Sequence, residues 1–225
     1  ILHSIQSIKL GTQLAKGGYV TAVLKLDASQ EKMFNLGNIV VSGSHKVRYE
    51  KKWVYVCEHP DAIPIKRFED KFIYCLNTSK KMIGIGDYVF QDWDEIDKSN
   101  IHKYGCDKES DIFDNLENGF HPDTPMYISH KDGPIAIKDI SIGDRLMSGE
   151  KIIGIVKIKN DKPLYEYPGF LATYQCSIIQ YLGITMKQSL EQTDILYHLL
   201  TDSGSLHINE QQLKDYNWNI DYLNV

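Results

Sequence analysis

The chain has 225 residues, 42% hydrophobic and 24% charged, a balance that supports a buried core and excludes a disordered chain. Its net charge of −5 is mild and gives no reason to expect nucleic acid or an acidic membrane surface as partner. No apolar run has the length of a membrane span, and nothing at the start has the form of a signal peptide.

In chain order, "GGYVTAVLKL" (17–26), "GNIVVS" (37–42), "KWVYVC" (52–57), "KFIYCL" (71–76) and "KIIGIVKI" (151–158) read as strands. They are short, rich in Val, Ile and Tyr, and punctuated by Gly, Asn and Asp. Two stretches predict helices: Glu109–Asn118, where Ser110 is placed to cap, and a segment within Met186–Leu200. The expected class is mainly β with few short helices. Four cysteines (Cys57, Cys75, Cys106, Cys176) without CxxC spacing argue against a disulfide scaffold and a four-ligand zinc site, and for a reducing, intracellular compartment. Cys57, His59, Cys75 and His45 are the one set to weigh as metal ligands. Scattered Cys and His more often serve packing, so no metal or other cofactor is expected.

An internal repeat organises these elements. Ile8–Leu26 matches Ile140–Ile158, with Gly11 on Gly143 (143 − 11 = 132), and Leu14, Gly17, Val20, Val23 and Lys25 on Leu146, Gly149, Ile152, Ile155 and Lys157. Tyr74–Trp93 matches Tyr197–Tyr216, with Tyr74, Leu76, Thr78, Ile85 and Asp92 on Tyr197, Leu199, Thr201, Ile208 and Asp215 (215 − 92 = 123). Two collinear matches predict two copies of one module, residues 1–97 and 119–225, joined by a charged linker at 98–118.

The second copy opens with "GFHPDTPMYISHKDGPIAIKDISIGDRLMSGEKIIGIV" (119–156). This resembles the start of a Hint (hedgehog/intein) domain: a nucleophile followed by Phe, then Asp-Thr, an "I-D-I-x-x-G-D" element and a Val/Ile-rich strand. The first copy carries a Ser-x-x-His, Ser42 to His45, similar to the family's Thr/Ser-x-x-His. It also carries "FIYCLNTSKKMIGIGDYVF" (72–90), similar to the closing element with its Asp or Cys. The resemblance implies two horseshoe-shaped, mostly antiparallel β modules in tandem. It also implies self-cleavage, in which a Cys or Ser at the first position attacks the preceding carbonyl by an N–S or N–O acyl shift.

Carried across by resemblance, His45 is the catalytic histidine, Ser42 its support, Cys75 the closing-element residue, and Gln91-Asp92 stands where splicing inteins keep His-Asn. Splicing is therefore not expected, whereas hedgehog-type cleavage does without that pair. In the second copy the nucleophile position holds Gly119, Cys176 stands where His45 lies, and His198 replaces Cys75, so that copy is expected to be inactive. For the first copy the same offset puts the nucleophile at 119 − 132 = −13, upstream of Ile1, so an upstream segment is expected. The expected partners are flanking segments of its own precursor.

The competing expectation is an inert Hint-fold structural or interaction protein. Degenerate tandems of this kind resemble structural proteins of large DNA viruses and phages, which implies other subunits of an assembly, and a virion, as partners. An enzyme acting on external substrate is the least expected, since paired carboxylates, a phosphate loop and a triad are all missing. "CEHPDA" (57–62) and "FHPDTP" (120–125) both hold His-Pro-Asp, read as turns in which Asp accepts backbone N–H groups. "QDWDEID" (91–97) reads as solvated linker carboxylates rather than a cation site.

Overall fold

The computed structural model describes residues 4–96, 116–174, 186–209 and 211–217. The protein is mainly β; the strand registers are antiparallel, and no helix among the described residues reaches seven residues. None is long and apolar enough to cross a membrane. The chain divides into two compact units, Ile1–Val23 with Asp27–Lys98, and Leu24–Leu26 with Ser99–Val225.

The first unit begins with a single 3-10 turn, Ile5–Ser7, and a tight loop leading into β1 (Val20–Asp27). There follow β2 (Met33–Leu36), β3 (Ile39–Ser42), β4 (Lys46–Tyr49), β5 (Lys52–Tyr55), β6 (Ala62–Pro64), β7 (Phe72–Thr78), β8 (Met82–Ile85) and β9 (Tyr88–Gln91). β7 lies beside β1 and runs against it: Ser79 N–H donates to the Tyr19 carbonyl (2.9 Å) at one end, Ala28 N–H to that of Lys71 (3.0 Å) at the other. β3, β2 and β6 form one sheet, and β5, β4, β9 and β8 another. Val20, Leu36, Val47, Val56, Leu76, Ile83 and Phe90 meet in one core, each contributing roughly 1.5–3 kcal/mol through side-chain burial.

The second unit carries β10 (Pro125–Met126), β11 (Ile135–Ala136), a 3-10 turn at Ile137–Asp139, β12 (Ile152–Lys159), β13 (Tyr165–Tyr167), β14 (Phe170–Ala172), β15 (Lys187–Gln188), β16 (Ile195–Thr201), β17 (Ser205–Ile208) and β18 (Gln211–Lys214). β12 pairs with β16 along its length, and β13 lies between β14 and β15. Phe120, Met126, Ile137, Leu146, Ile152 and Leu199 are among the residues of its core.

The same hydrogen bonds occur within each unit at the offsets of the sequence repeat. Gly11 N–H reaches the Val20 carbonyl at 2.8 Å and Gly143 N–H that of Ile152 at 2.9 Å; Val20 N–H returns to Thr12, and Ile152 N–H to Asp144. Gly17 and Gly149 both hold φ = 112°, a conformation open to glycine and costly for other residues. At offset 123, Thr78 N–H donates to Asp92 Oδ2 (2.9 Å) and Thr201 N–H to Asp215 Oδ2 (3.0 Å). The threonine hydroxyls then donate to the carbonyls of Met82 and Ser205. In the middle the offset is 131: the Met33–Ser42 hairpin corresponds to Leu164–Thr173, with Ile65 N–H on the Met33 carbonyl and Ser189 N–H on that of Leu164, both at 2.8 Å.

The helix expected within Met186–Leu200 is not formed. Lys187–Gln188 and Ile195–Thr201 are strands, and Leu190, which would have faced a core from a helix, is fully exposed. Leu196, His198, Leu199 and Leu200 are buried in β16, where pairing with β12 satisfies the backbone and overrides the local helical spacing. The helix expected at Glu109–Asn118 lies, apart from Leu116, Glu117 and Asn118, outside the described residues. Those three residues are buried.

Candidate functional site

In the first unit Ser42 ends β3 and His45 immediately precedes β4, so the turn between them sets the histidine's place. His45 N–H donates to the Ser42 carbonyl (3.2 Å) and the His45 carbonyl accepts from Val56 N–H (2.8 Å). The partly buried ring packs at a tilt on Phe90, centroids 5.8 Å apart. Burial pulls its pKa down from 6.5 to about 4, and a hydrogen bond to the backbone of Gln91 opposes that only in part. His45 is therefore neutral at pH 7.

Cys75 is buried on β7, its thiol 3.8 Å from the Leu76 carbonyl. Burial raises its pKa far above the ordinary thiol range, and the negative charges of Asp92, Asp94 and Glu95 push it further. It stays protonated and is no nucleophile. His45 and Cys75 are thus both tied to one segment, Gln91–Glu95.

That segment corrects the reading of "QDWDEID" as solvated carboxylates. Asp92 and Asp94 are buried. Asp94 accepts from Lys81 Nζ (2.7 Å) and Asn77 Nδ2 (2.9 Å), while Asp92 Oδ2 takes the Thr78 N–H and lies 3.9 Å from Lys81 Nζ. Glu95 pairs with Lys46 at 2.7 Å. The buried lysine offsets the cost of two buried carboxylates, a partnership that no linear reading of an acidic run discloses. Asp92 is accordingly held as a structural clamp on β7.

The two His-Pro-Asp segments are turns, but the acceptor differs from expectation. In each, the His Nδ1 takes the Asp backbone N–H, from Asp61 to His59 and from Asp123 to His121, both at 3.2 Å. The remaining metal candidates are apart in character: His59 is buried between Tyr49 and Tyr88, and Cys57 is exposed. Among the described residues no three His, Cys, Asp or Glu side chains gather as a metal-binding group.

In the second unit Gly119, which the sequence reading sets at the nucleophile position, is held from both sides. Gly119 N–H donates to Thr173 Oγ1 and Thr173 N–H to the Gly119 carbonyl, both at 3.1 Å. Phe120 exchanges backbone hydrogen bonds with Tyr197 of β16 (2.8 and 2.9 Å), and His121 N–H reaches Leu171 of β14 (2.8 Å). A Cβ built at Gly119 would sit 2.9 Å from Leu196 Cβ and 3.0 Å from the Tyr197 carbonyl oxygen, so the position is closed to any side chain. Lys162 Nζ donates to the Glu117 carbonyl (3.0 Å), fixing the chain just ahead of that position.

His198, on β16 where β7 has Cys75, is buried against Phe120 (4.9 Å) and Tyr216 (5.6 Å). Its Nδ1 lies 2.9 Å from the Leu199 amide nitrogen and 3.2 Å from the Leu199 carbonyl oxygen, and burial lowers its pKa to about 4. Cys176, matched in sequence to His45, lies outside the described residues. No family model, curated protein or solved structure matches this chain.

Thr173 was missed by motif reading, although the 131-residue offset that pairs Cys176 with His45 also pairs Thr173 with Ser42. Lys81 and Lys162 carry no motif at all; only their burial and partners single them out.

Proposed function

We propose that the chain is a tandem of two Hint-type modules. In the first, a nucleophile placed upstream by the 132-residue offset severs the peptide bond before itself once; the second is an inert copy. One observation carries this reading. In the second unit a hydroxyl, Thr173 Oγ1, holds the amide N–H of the residue at the nucleophile position, and Ser42 occupies the corresponding place three residues before His45. A peptide nitrogen gripped by a hydroxyl beside an imidazole is arranged for acyl transfer out of an amide, where the nitrogen must take up a proton as it leaves.

In the first module a thiol or hydroxyl would attack the carbonyl carbon of the preceding residue. The C–N bond breaks, the nucleophile's proton passes to the nitrogen, and the product is a thioester or ester with a free amine. Water then hydrolyses it. His45 is the group to move that proton: neutral at rest, it is a weak base, and once protonated it is a strong acid toward the leaving nitrogen. Ser42 would hold the amide. Cys75, a buried thiol, and Asp92, a structural clamp, support the fold around them rather than the proton transfer.

A second reading is favoured by the closed space at Gly119: both modules serve as inert scaffold, and the partners are subunits of an assembly of the viral or phage structural kind. The test separates the two. The chain is expressed with a tagged N-terminal extension that puts cysteine, followed by phenylalanine, at the position the offset assigns. Self-cleavage gives two bands that merge on His45→Ala. A single full-length band in thiol- and hydroxylamine-containing buffer rules out cleavage and leaves the scaffold reading.

A further inference from the structure

The mean charge of the chain conceals a local excess. The β4–β5 hairpin, Lys46–Tyr55, holds Lys46, Arg48, Lys51 and Lys52 against Glu50 alone, a net of 4 − 1 = +3 in a chain of net −5. The corresponding stretch of the second copy, residues 177–186, "SIIQYLGITM", carries no charge. The excess thus belongs to the first unit and not to the module's architecture.

Register sorts the hairpin into two faces. Val47 lies opposite Val54 and Phe90 and points into the core, with Tyr49 packed edge-on against His59 at 4.8 Å. The alternate residues, Lys46 opposite Tyr55 and Arg48 opposite Trp53, share the outward face. There Tyr55 is exposed, Trp53 is half-buried, and the Lys46 ammonium lies 5.5 Å from the centre of the Tyr55 ring. Lys46 is already paired with Glu95, and Glu58 takes the Tyr55 N–H; Arg48, Lys51 and Lys52 make no ion pair among the described residues. The turn is Glu50-Lys51, both left-handed (φ 45° and 68°), where a two-residue hairpin is built most easily from Asn-Gly. A charged tip is kept at a backbone cost.

We propose that this outward face binds single-stranded nucleic acid, its phosphates on Arg48 and on Lys51 at the hairpin tip and its bases stacked on Trp53 and Tyr55; Lys52, opposite Tyr49, lies on the other face. Cations alone would suit any polyanion. Rings set in register opposite Arg48 and Lys46 favour bases, which present a π-face whatever the sequence. The inference rests on this hairpin and is independent of self-cleavage.

The probe is a fluorescently labelled oligothymidylate followed by anisotropy with the whole chain at about 50 mM salt. Two phosphate contacts predict a slope of log K against log salt of about −1.4. Trp53→Ala is expected to weaken binding about tenfold, the loss of one stacked base. The double variant Arg48→Glu, Lys51→Glu, both exposed, is expected to abolish it while leaving the unfolding midpoint unchanged. Absence of binding at this salt overturns the proposal. So does equal binding to heparin or anionic vesicles with Trp53→Ala silent, which would mark a plain polyanion surface.

Discussion

His45 and His198 set an acid limit on the fold that can be worked out in advance. Each is held at a pKa of about 4 by burial, against 6.5 in an unfolded chain. Below pH 6.5 the unfolded state takes up the proton first. The contribution of each ring is therefore fully present above pH 6.5 and lost as pH falls through 4. The gap of 6.5 − 4 = 2.5 pH units corresponds to about 3 kcal/mol per ring. Urea unfolding followed by the fluorescence of a Trp218→Phe background, which leaves only Trp53 and Trp93, reads the first unit. Between pH 7 and about 4 the wild-type protein is expected to lose some 3 kcal/mol more than His45→Gln, whose side chain has no proton to gain. The comparison matters because carboxylates titrating over the same range affect both proteins alike. If wild type and His45→Gln lose stability in parallel, His45 is not held neutral by burial, and its assignment as a weak base and strong acid falls with it.

Lys81→Gly sets two effects against each other. Glycine relieves a left-handed φ of 54°, worth about 1 kcal/mol, but leaves Asp92 and Asp94 buried without their cation, which costs about 3–5 kcal/mol. A net loss of about 2–4 kcal/mol in urea unfolding is expected, and equal or greater stability would show that Asp94 does not depend on Lys81. Gly119→Cys places a thiol in the second unit where no room exists for it. Mass spectrometry should find the bond between Asn118 and residue 119 intact, with stability lowered by about 1–3 kcal/mol; cleavage there would contradict the reading of that copy as inert.

The strands were the legible part of the chain. Ile152–Lys159 alternates buried and accessible positions, and its mate Ile195–Thr201 could be found by repeat matching even though its apolar spacing also suits a helix. Choosing between these requires knowing that β12 lies alongside, which is tertiary information. The site divides in the same way. His45 stood out because of the residues around it in sequence, whereas its ionisation is set by Phe90 and Gln91, some forty-five residues downstream. The burial of Asp94 depends on Lys81, and the hold on Gly119 on Thr173, contacts between residues 13 and 54 positions apart. Motif spacing reports neighbours along the chain, while pKa and burial depend on neighbours in space.

The Thr–Asp staple is the part of the repeat that both units keep. Position for position, the two copies have exchanged a cysteine for a histidine on β7 and β16. Yet each retains a threonine, a left-handed residue three places on (Lys81 or Gly204), and an aspartate fourteen places on that grips the threonine amide. Across the repeat the joints are kept while Cys75 and His198 differ. Distant kin of this chain should therefore be sought by that spacing of threonine, left-handed turn and aspartate, repeated once at an interval of 123 residues, rather than by any residue credited with chemistry.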